Sequence, residues 1–344
     1  MKRICYLLLL IFTIFLFSCE NSVTCGCGNP TISITSDDNF YIQELSKSIK
    51  EDMSSFTFSY DVDKDTLYSV CGDYKVVLFV NEIKIDDIEE KKVEIPYTIV
   101  KKMGGILLSD IGIYDFSKVN RASLLLSFDD SYLSNWRKHL SLFTDNNLKA
   151  TFFVYGLPSN IKGFCKTVQD AKLEVGYHTL THKKNLEDFC DEEHLKTEAL
   201  DPAIELHKNY IYANSFALPN GAWVPYVIDE LLKYYKIVRF YGNYFRLYKP
   251  EEIGEIRAIH SCAIDNNRFE NEDVFQNVLF KRLLIARITE TVFPCTSHNI
   301  VDSFDELEDS RYAITTARLK FIIDCLEKMN IKSSLYKNYY DYIY

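Results

Sequence analysis

From about residue 119 the chain repeats one pattern: a short apolar run, then a longer stretch whose apolar residues fall three and four apart. The runs at 122–128, 150–154, 173–177, 214–218, 236–240, 255–259, 291–296 and 331–335 predict buried strands. Between them, Trp136, Leu140 and Phe143 predict a helix over 132–143, and Leu319, Ile322, Ile323 and Leu326 predict one over 312–329. Further helices are predicted over 164–171, 191–209, 225–235 and 273–289. Pro225 suits a first helical turn, and Asp191 is a candidate N-cap, whereas Pro202 threatens to split its helix. Repeated strand–helix units imply an α/β fold with a mostly parallel sheet, open or closed as a barrel.

The first third reads differently. Residues 33–118 show β-rich runs at 56–60, 74–80 and 93–97, separated by Asp- and Lys-rich turns, with one short helix at 42–49. They predict a small β-rich domain, for which sandwich-like packing is one option. No motif assigns it chemistry, so spacer, substrate-binding and partner-docking roles all stay open. Residues 20–32 are small, polar and turn-rich, as in a tether. Residues 1–19 carry Lys2 and Arg3 and then an apolar stretch too short to span a bilayer, the pattern of an export signal. Ser18-Cys19 closes it in the manner of a bacterial lipobox, which would make Cys19 the lipidated first residue of an exported, membrane-anchored lipoprotein of the cell envelope. An ordinary signal peptide or an uncleaved anchor are the other readings.

Composition narrows the partners. The 344 residues are 47% hydrophobic, enough for a sizeable core and two domains. A formal net charge of −10 argues against nucleic acid and against adhesion to anionic lipid through charge. Of the ten cysteines, Cys5 and Cys19 fall in the export segment. Cys25 and Cys27 have no second pair with which to form a zinc knuckle, and Cys165, Cys295 and Cys325 sit in apolar runs, as buried thiols do.

The candidate chemistry lies where predicted strands end. Asp129 and Asp130 follow one, His178 and His182 another, and His298 a third. In α/β folds, active sites assemble at the carboxyl ends of strands. One carboxylate and two imidazoles suit a divalent first-row cation, zinc first among them, and three protein ligands leave positions open. The remaining carboxylate could take a proton from water, and His298 could return one to a leaving amine. Together these parts describe metal-assisted hydrolysis of an amide or ester. Neighbouring residues on a strand point to opposite faces, so both carboxylates reach one site only if the chain bends at Asp129–Asp130. His139, His194, His207 and His260 read as structural, Asp265 and Asn266 as loop polarity, and Glu192-Glu193 as a solvated face.

Three segments in order carry a family resemblance: Leu126-Ser127-Phe128-Asp129-Asp130, Ala150-Thr151-Phe152-Phe153, and Gly176-Tyr177-His178-Thr179-Leu180-Thr181-His182. Over about 119–344 the chain resembles the polysaccharide deacetylase family, the NodB homology domain of carbohydrate esterase family 4. The resemblance implies a distorted (β/α) barrel, following the small β-rich domain, and removal of acetyl groups from sugars of a polysaccharide or peptidoglycan. It implies Asp129 as catalytic base, Asp130, His178 and His182 as metal ligands, and His298 as catalytic acid. Pro219 and Gly221 fall in the family's cleft-lining loop. Ala217 stands where many members have an arginine paired with the base. Its loss would raise the Asp129 carboxyl relative to those members unless Arg239 or Arg257 supplies the charge. The family's Asp-x-x-Asp-Trp loop, which tunes the acid histidine, is not visible. A surface lipoprotein that kept the fold and binds glycan or a partner without catalysis is the alternative, and a hydrolase of small acyl substrates is a third.

Overall fold

The computed structural model describes residues 36–102, 105–156, 158–182, 192–221, 225–242, 245–269 and 271–340. Cys19 and the export and tether segments lie outside them, as does Asp191. Residues Ile42–Tyr344 form one compact unit, and Met1–Tyr41 another, of which only the start of the helix Ser36–Asp52 is described.

Five antiparallel strands follow that helix in simple meander order: β1 (Ser59–Asp61), β2 (Thr66–Cys71), β3 (Tyr74–Leu78), β4 (Lys92–Lys101) and β5 (Ile106–Asp115). Alternate residues Val76 and Leu78, then Val93, Ile95, Tyr97 and Ile99, are buried on one face. Ile42, Leu45, Ile49 and Met53 belong to the same core. The contact is close at Gly112 of β5, where a Cβ would lie 2.6 Å from Met53 Cε. Among the described residues the region is therefore one sheet covered by a helix, with no second sheet to make a sandwich of it. Strands β2 and β5 were not expected. Serine and glycine interrupt their apolar alternation, so neither reads as a run.

Seven parallel strands then close into a ring: β6 (Ser123–Phe128), β7 (Ala150–Val154), β8 (Glu174–Tyr177), β9 (Ser215–Ala217), β10 (Ile237–Gly242), β11 (Ala258–Ala263) and β12 (Val292–Ser297), with β12 paired back onto β6 from Val292↔Ser123 to Ser297↔Phe128. This is the expected (β/α) barrel, and its distortion is local. Strands β8 and β9 share the single pair Tyr177↔Phe216. After the short parallel pair β13 (Asn299–Val301) and β14 (Ala313–Thr315), strand β15 (Lys332–Ser333) takes the start of β6, while β7 takes its end.

The strands are buried on both faces, as the unbroken apolar runs require. Outward, Phe152 is ringed by Phe128, Trp136, Phe143 and Phe164 at centroid distances of 5.2–5.8 Å. Inward, Leu125, Phe153, Ile237 and Ile259 fill the lumen together with Tyr336 and Tyr339.

Several helix bounds differ from expectation. The stretch 132–143 breaks at His139 into Leu133–Lys138 and Leu140–Asp145. The stretch 191–209 does split, but through a π-helical turn at Lys196–Leu200 just before Pro202. The last long helix begins only at Thr316, because 313–315 form β14. Residues 250–256 are helical, begun by Pro250 and buried at Ile253 and Gly254, so β11 starts later than its apolar run suggested.

The sheet region and the barrel are tied at one buried side chain. Arg287, on the helix Glu272–Thr289, donates to the carbonyls of Phe116, Lys118 and Met329 and to the Tyr114 hydroxyl. A planar guanidinium with five donors suits such a junction of carbonyls.

Candidate metal centre

Strand β6 ends at Phe128, and the chain turns at once. The Asp129 amide still donates to the Ser297 carbonyl of β12, at 3.0 Å, but Asp130 and Ser131 take φ of +78° and +56°. Non-glycine residues seldom adopt such values, and they persist where surroundings impose them. Here Ser131 does so: its Oγ accepts from the Tyr155 amide at 2.7 Å and donates to the Tyr155 carbonyl at 3.1 Å, beyond β7. This is the bend that lets adjacent carboxylates serve one site.

The second arm leaves β8. The His178 amide donates to the Val154 carbonyl, and its Nδ1 lies 2.7 Å from the Ala217 carbonyl at the end of β9. A carbonyl only accepts, so Nδ1 carries the proton and Nε2 is left with a lone pair. The chain then turns tightly, with positive φ at Thr179 and His182, and the Thr179 hydroxyl accepts from the His182 amide. Glu198, only 3% exposed in the π-helical turn, fixes this loop. One of its oxygens accepts from the amides of Leu180 and Thr181 at 3.1 and 2.8 Å, and the other from the Thr181 hydroxyl at 2.8 Å.

The two arms meet. His182 Nε2 lies 2.8 Å and His178 Nε2 3.3 Å from Asp130 Oδ1. One donor atom from each of the three residues falls within 4.8 Å of the others, the only such group among the described residues. Burial would raise the Asp130 carboxyl, but the imidazoles of His178 and His182 more than offset it and hold the group below the usual carboxylate range. The residues fit a cation. With Nδ1 turned to the Ala217 carbonyl, His178 Nε2 faces Asp130 Oδ1, a buried oxygen with no hydrogen-bond partner among the described residues, and a cation between them would satisfy both. The imidazole is itself oriented through its other nitrogen, as in metal-ligating histidines generally.

Asp129, buried beside this group, is paired with Arg239 of β10, whose Nη2 donates to Asp129 Oδ1. The charge absent at Ala217 is thus supplied from the next strand, on the same lumen, by Arg239, one of the two arginines that the sequence left open for it. Arg257 has another role: its guanidinium donates to the carbonyls of Leu232, Tyr235 and Lys236. Ala217 keeps a part in the site through its carbonyl. Pro219 and Gly221 lie in the short turn that follows it, with Asn220 at φ +55°.

His298 closes the site from β12. Its Nε2 is 3.8 Å from Asp130 Oδ2, and its Nδ1 is 2.8 Å from Asp265 Oδ2. Asp265, beyond β11 and buried, also accepts from the His298 amide and the Ser297 hydroxyl. Burial pulls the His298 imidazolium down, but the charge and hydrogen bond of Asp265 push it up to about 9. Trp136 Nε1 donates to the His298 carbonyl at 2.7 Å. Asp265 and Glu198 are the functional residues that sequence reasoning missed. Asp265 had a signal, since it too follows an apolar run; Glu198 resembled an exposed helical acid. His139 bonds to the Asn135 carbonyl and Asp302, away from this cluster.

Chemically, the arrangement gathers three residues able to hold a cation near a carboxylate paired with arginine and a histidine whose charged form is favoured by aspartate. The polysaccharide deacetylase family model matches residues 117–235. No curated protein matches the chain significantly. Among solved structures, a family 4 carbohydrate esterase from Streptomyces lividans, in complex with acetate, is 14% identical, covers 63% of this chain and 93% of its own, and superposes with a TM-score of 0.40. A peptidoglycan N-acetylglucosamine deacetylase is 16% identical (65% and 90% covered, TM-score 0.42), and a family 4 pseudoenzyme from Bacillus anthracis is 12% identical (87% and 94% covered, TM-score 0.40). Likeness this distant carries no function across. The family match spans Asp129, Asp130, His178 and His182, so over residues 117–235 the chain is similar to the polysaccharide deacetylase family.

Proposed function

We propose that the chain is a metal-dependent hydrolase that removes acetyl groups from N-acetylated sugars of a polysaccharide or peptidoglycan. The observation that carries this reading is the convergence of Asp130, His178 and His182 within 4.8 Å, flanked by Asp129 and His298. Asp130 Oδ1 and the two Nε2 atoms would hold a divalent cation, zinc first. When bound, such a cation lowers the pKa of a coordinated water from about 16 toward about 7 and polarises an acyl oxygen. Asp129 then accepts the proton of the attacking water, its carboxylate fixed by Arg239. His298 donates a proton to the departing amine nitrogen, and Asp265 keeps it charged for that step.

The test is acetate release from N-acetylglucosamine oligomers. We expect release that stops with a chelator, returns with zinc, and falls at least about 100-fold in Asp129→Asn. A protein that binds the oligomers and releases nothing with metal restored is the non-catalytic glycan binder. Turnover of simple acyl esters alone is the small-substrate hydrolase.

We further propose export and anchorage through a lipidated Cys19, on the strength of residues 1–19. Radiolabelled palmitate should enter the expressed protein and be lost in Cys19→Ala; equal labelling of both would reject the anchor.

A further inference from the structure

At the amino-terminal mouth of the barrel, opposite the metal centre, the segment 334–340 is tied to the strands. The Ser334 amide donates to the Leu124 carbonyl of β6. The Lys337 amide donates, at 3.0 Å, to Glu174, a buried carboxylate that also accepts from Thr151 of β7 and Ser215 of β9. Tyr339 hydrogen-bonds Ser123 at the start of β6. These ties drive Tyr336, 0% exposed, up the lumen. Its ring meets Phe153 edge-on at 5.4 Å, and Phe153 in turn lies 4.9 Å beneath the Arg239 guanidinium. Phe153 has this place because Gly176 leaves it free: a Cβ there would stand 2.3 Å from the ring.

Arg239 needs such support. Its Nη2 meets Asp129, but Nε and Nη1 have no protein hydrogen-bond partner. Packing, not a hydrogen-bonded cage, therefore sets the plane of the guanidinium. We infer that Tyr336 is a positioning residue for Asp129, acting through Phe153 and Arg239 from the far end of the barrel. Its catalytic consequence rests on the deacetylase reading above. The Tyr336 hydroxyl also lies within electrostatic reach of Arg239 and Asp129; the effect is assigned to the ring, which meets Phe153 edge-on, and the phenylalanine variant separates ring from hydroxyl.

The test compares Tyr336→Phe with Tyr336→Ala, each as the full chain with zinc. In Tyr336→Ala, kcat on N-acetylglucosamine oligomers falls about 10- to 100-fold, the loss that small misplacement of reacting groups causes. KM and zinc affinity stay within about twofold, and Tyr336→Phe restores kcat. A second readout needs no activity: exchange of the Arg239 side-chain Nε–H, followed by 15N NMR, is slow in the wild type and in Tyr336→Phe and at least about tenfold faster in Tyr336→Ala. If Tyr336→Ala does not fold, Tyr336→Leu, which fills the lumen without an aromatic edge, is read in the same way. Wild-type kcat and wild-type exchange in a folded variant would overturn the inference. So would a joint fall of kcat, zinc affinity and stability that Tyr336→Phe fails to restore, since that marks a plug and nothing more. Should the wild type release no acetate, the functional proposal fails while the exchange rates still decide this one.

Discussion

Asp265 shows how one residue can set the chemistry of another. It touches neither the cation donors nor Asp129, yet it holds His298 through two hydrogen bonds and raises the imidazolium to about 9. An acid must be protonated to act, so activity should fade as pH climbs through about 9. In Asp265→Asn the charge is gone while burial remains, and the alkaline limb of the kcat profile should move down by about one to two pH units. An unmoved limb would show that His298 is not the acid. The linked stability has the same sign. A group whose pKa is higher in the folded chain contributes stability that is complete below about 6.5 and is lost as pH rises through about 9. Much of this was legible beforehand. Asp129, Asp130, His178, His182 and His298 stood out because each closes or follows an apolar run. Asp265 did too, but a single acid in a polar loop has a simpler explanation until its partner, 33 residues on, is seen beside it.

At the level of elements, the π-helical turn at Lys196–Leu200 is the local irregularity with a consequence. It faces Glu198 inward, onto the loop that presents His182. Such turns recur at functional sites because one extra residue re-aims a side chain. Replacing Glu198 by Ala would free two amides and a hydroxyl in a loop whose residues Thr179 and His182 already sit at positive φ. We expect zinc affinity, measured by competition with a chromophoric chelator, to fall about 10- to 100-fold, the usual effect of losing an outer-shell partner. Affinity equal to wild type would mean that the loop holds itself. Sequence could not reveal this element. A π turn has no periodicity of its own, and Pro202 announces a break without stating its geometry. Three-residue strands such as β13 and β14 are hidden for a similar reason: a run that short carries no period.

For the whole molecule, the junction at Arg287 joins the five-stranded sheet region to the barrel. Its donors satisfy three backbone carbonyls, and leaving a buried acceptor unpaired costs about 1–3 kcal/mol. Arg287→Ala should therefore lower the stability of the folded chain by several kcal/mol, seen as a lower midpoint in urea. A midpoint within experimental error of wild type would show that the rest of the interface suffices. The barrel itself was legible from the alternation of strands and helices, whereas its closure was not, because nothing in the pattern says that the first strand of the ring meets the seventh. That meeting, Ser123 beside Val292, spans 169 positions of the chain (292 minus 123). Contacts of such range form late, since the loop entropy must be met before they reward it. The cation donors belong to β6 and β8, near neighbours in an arc that is still open, while His298 arrives only with β12. On the proposed function, a refolding chain should thus capture zinc first and acquire its proton donor last, passing through a species that holds the metal without yet being able to turn over.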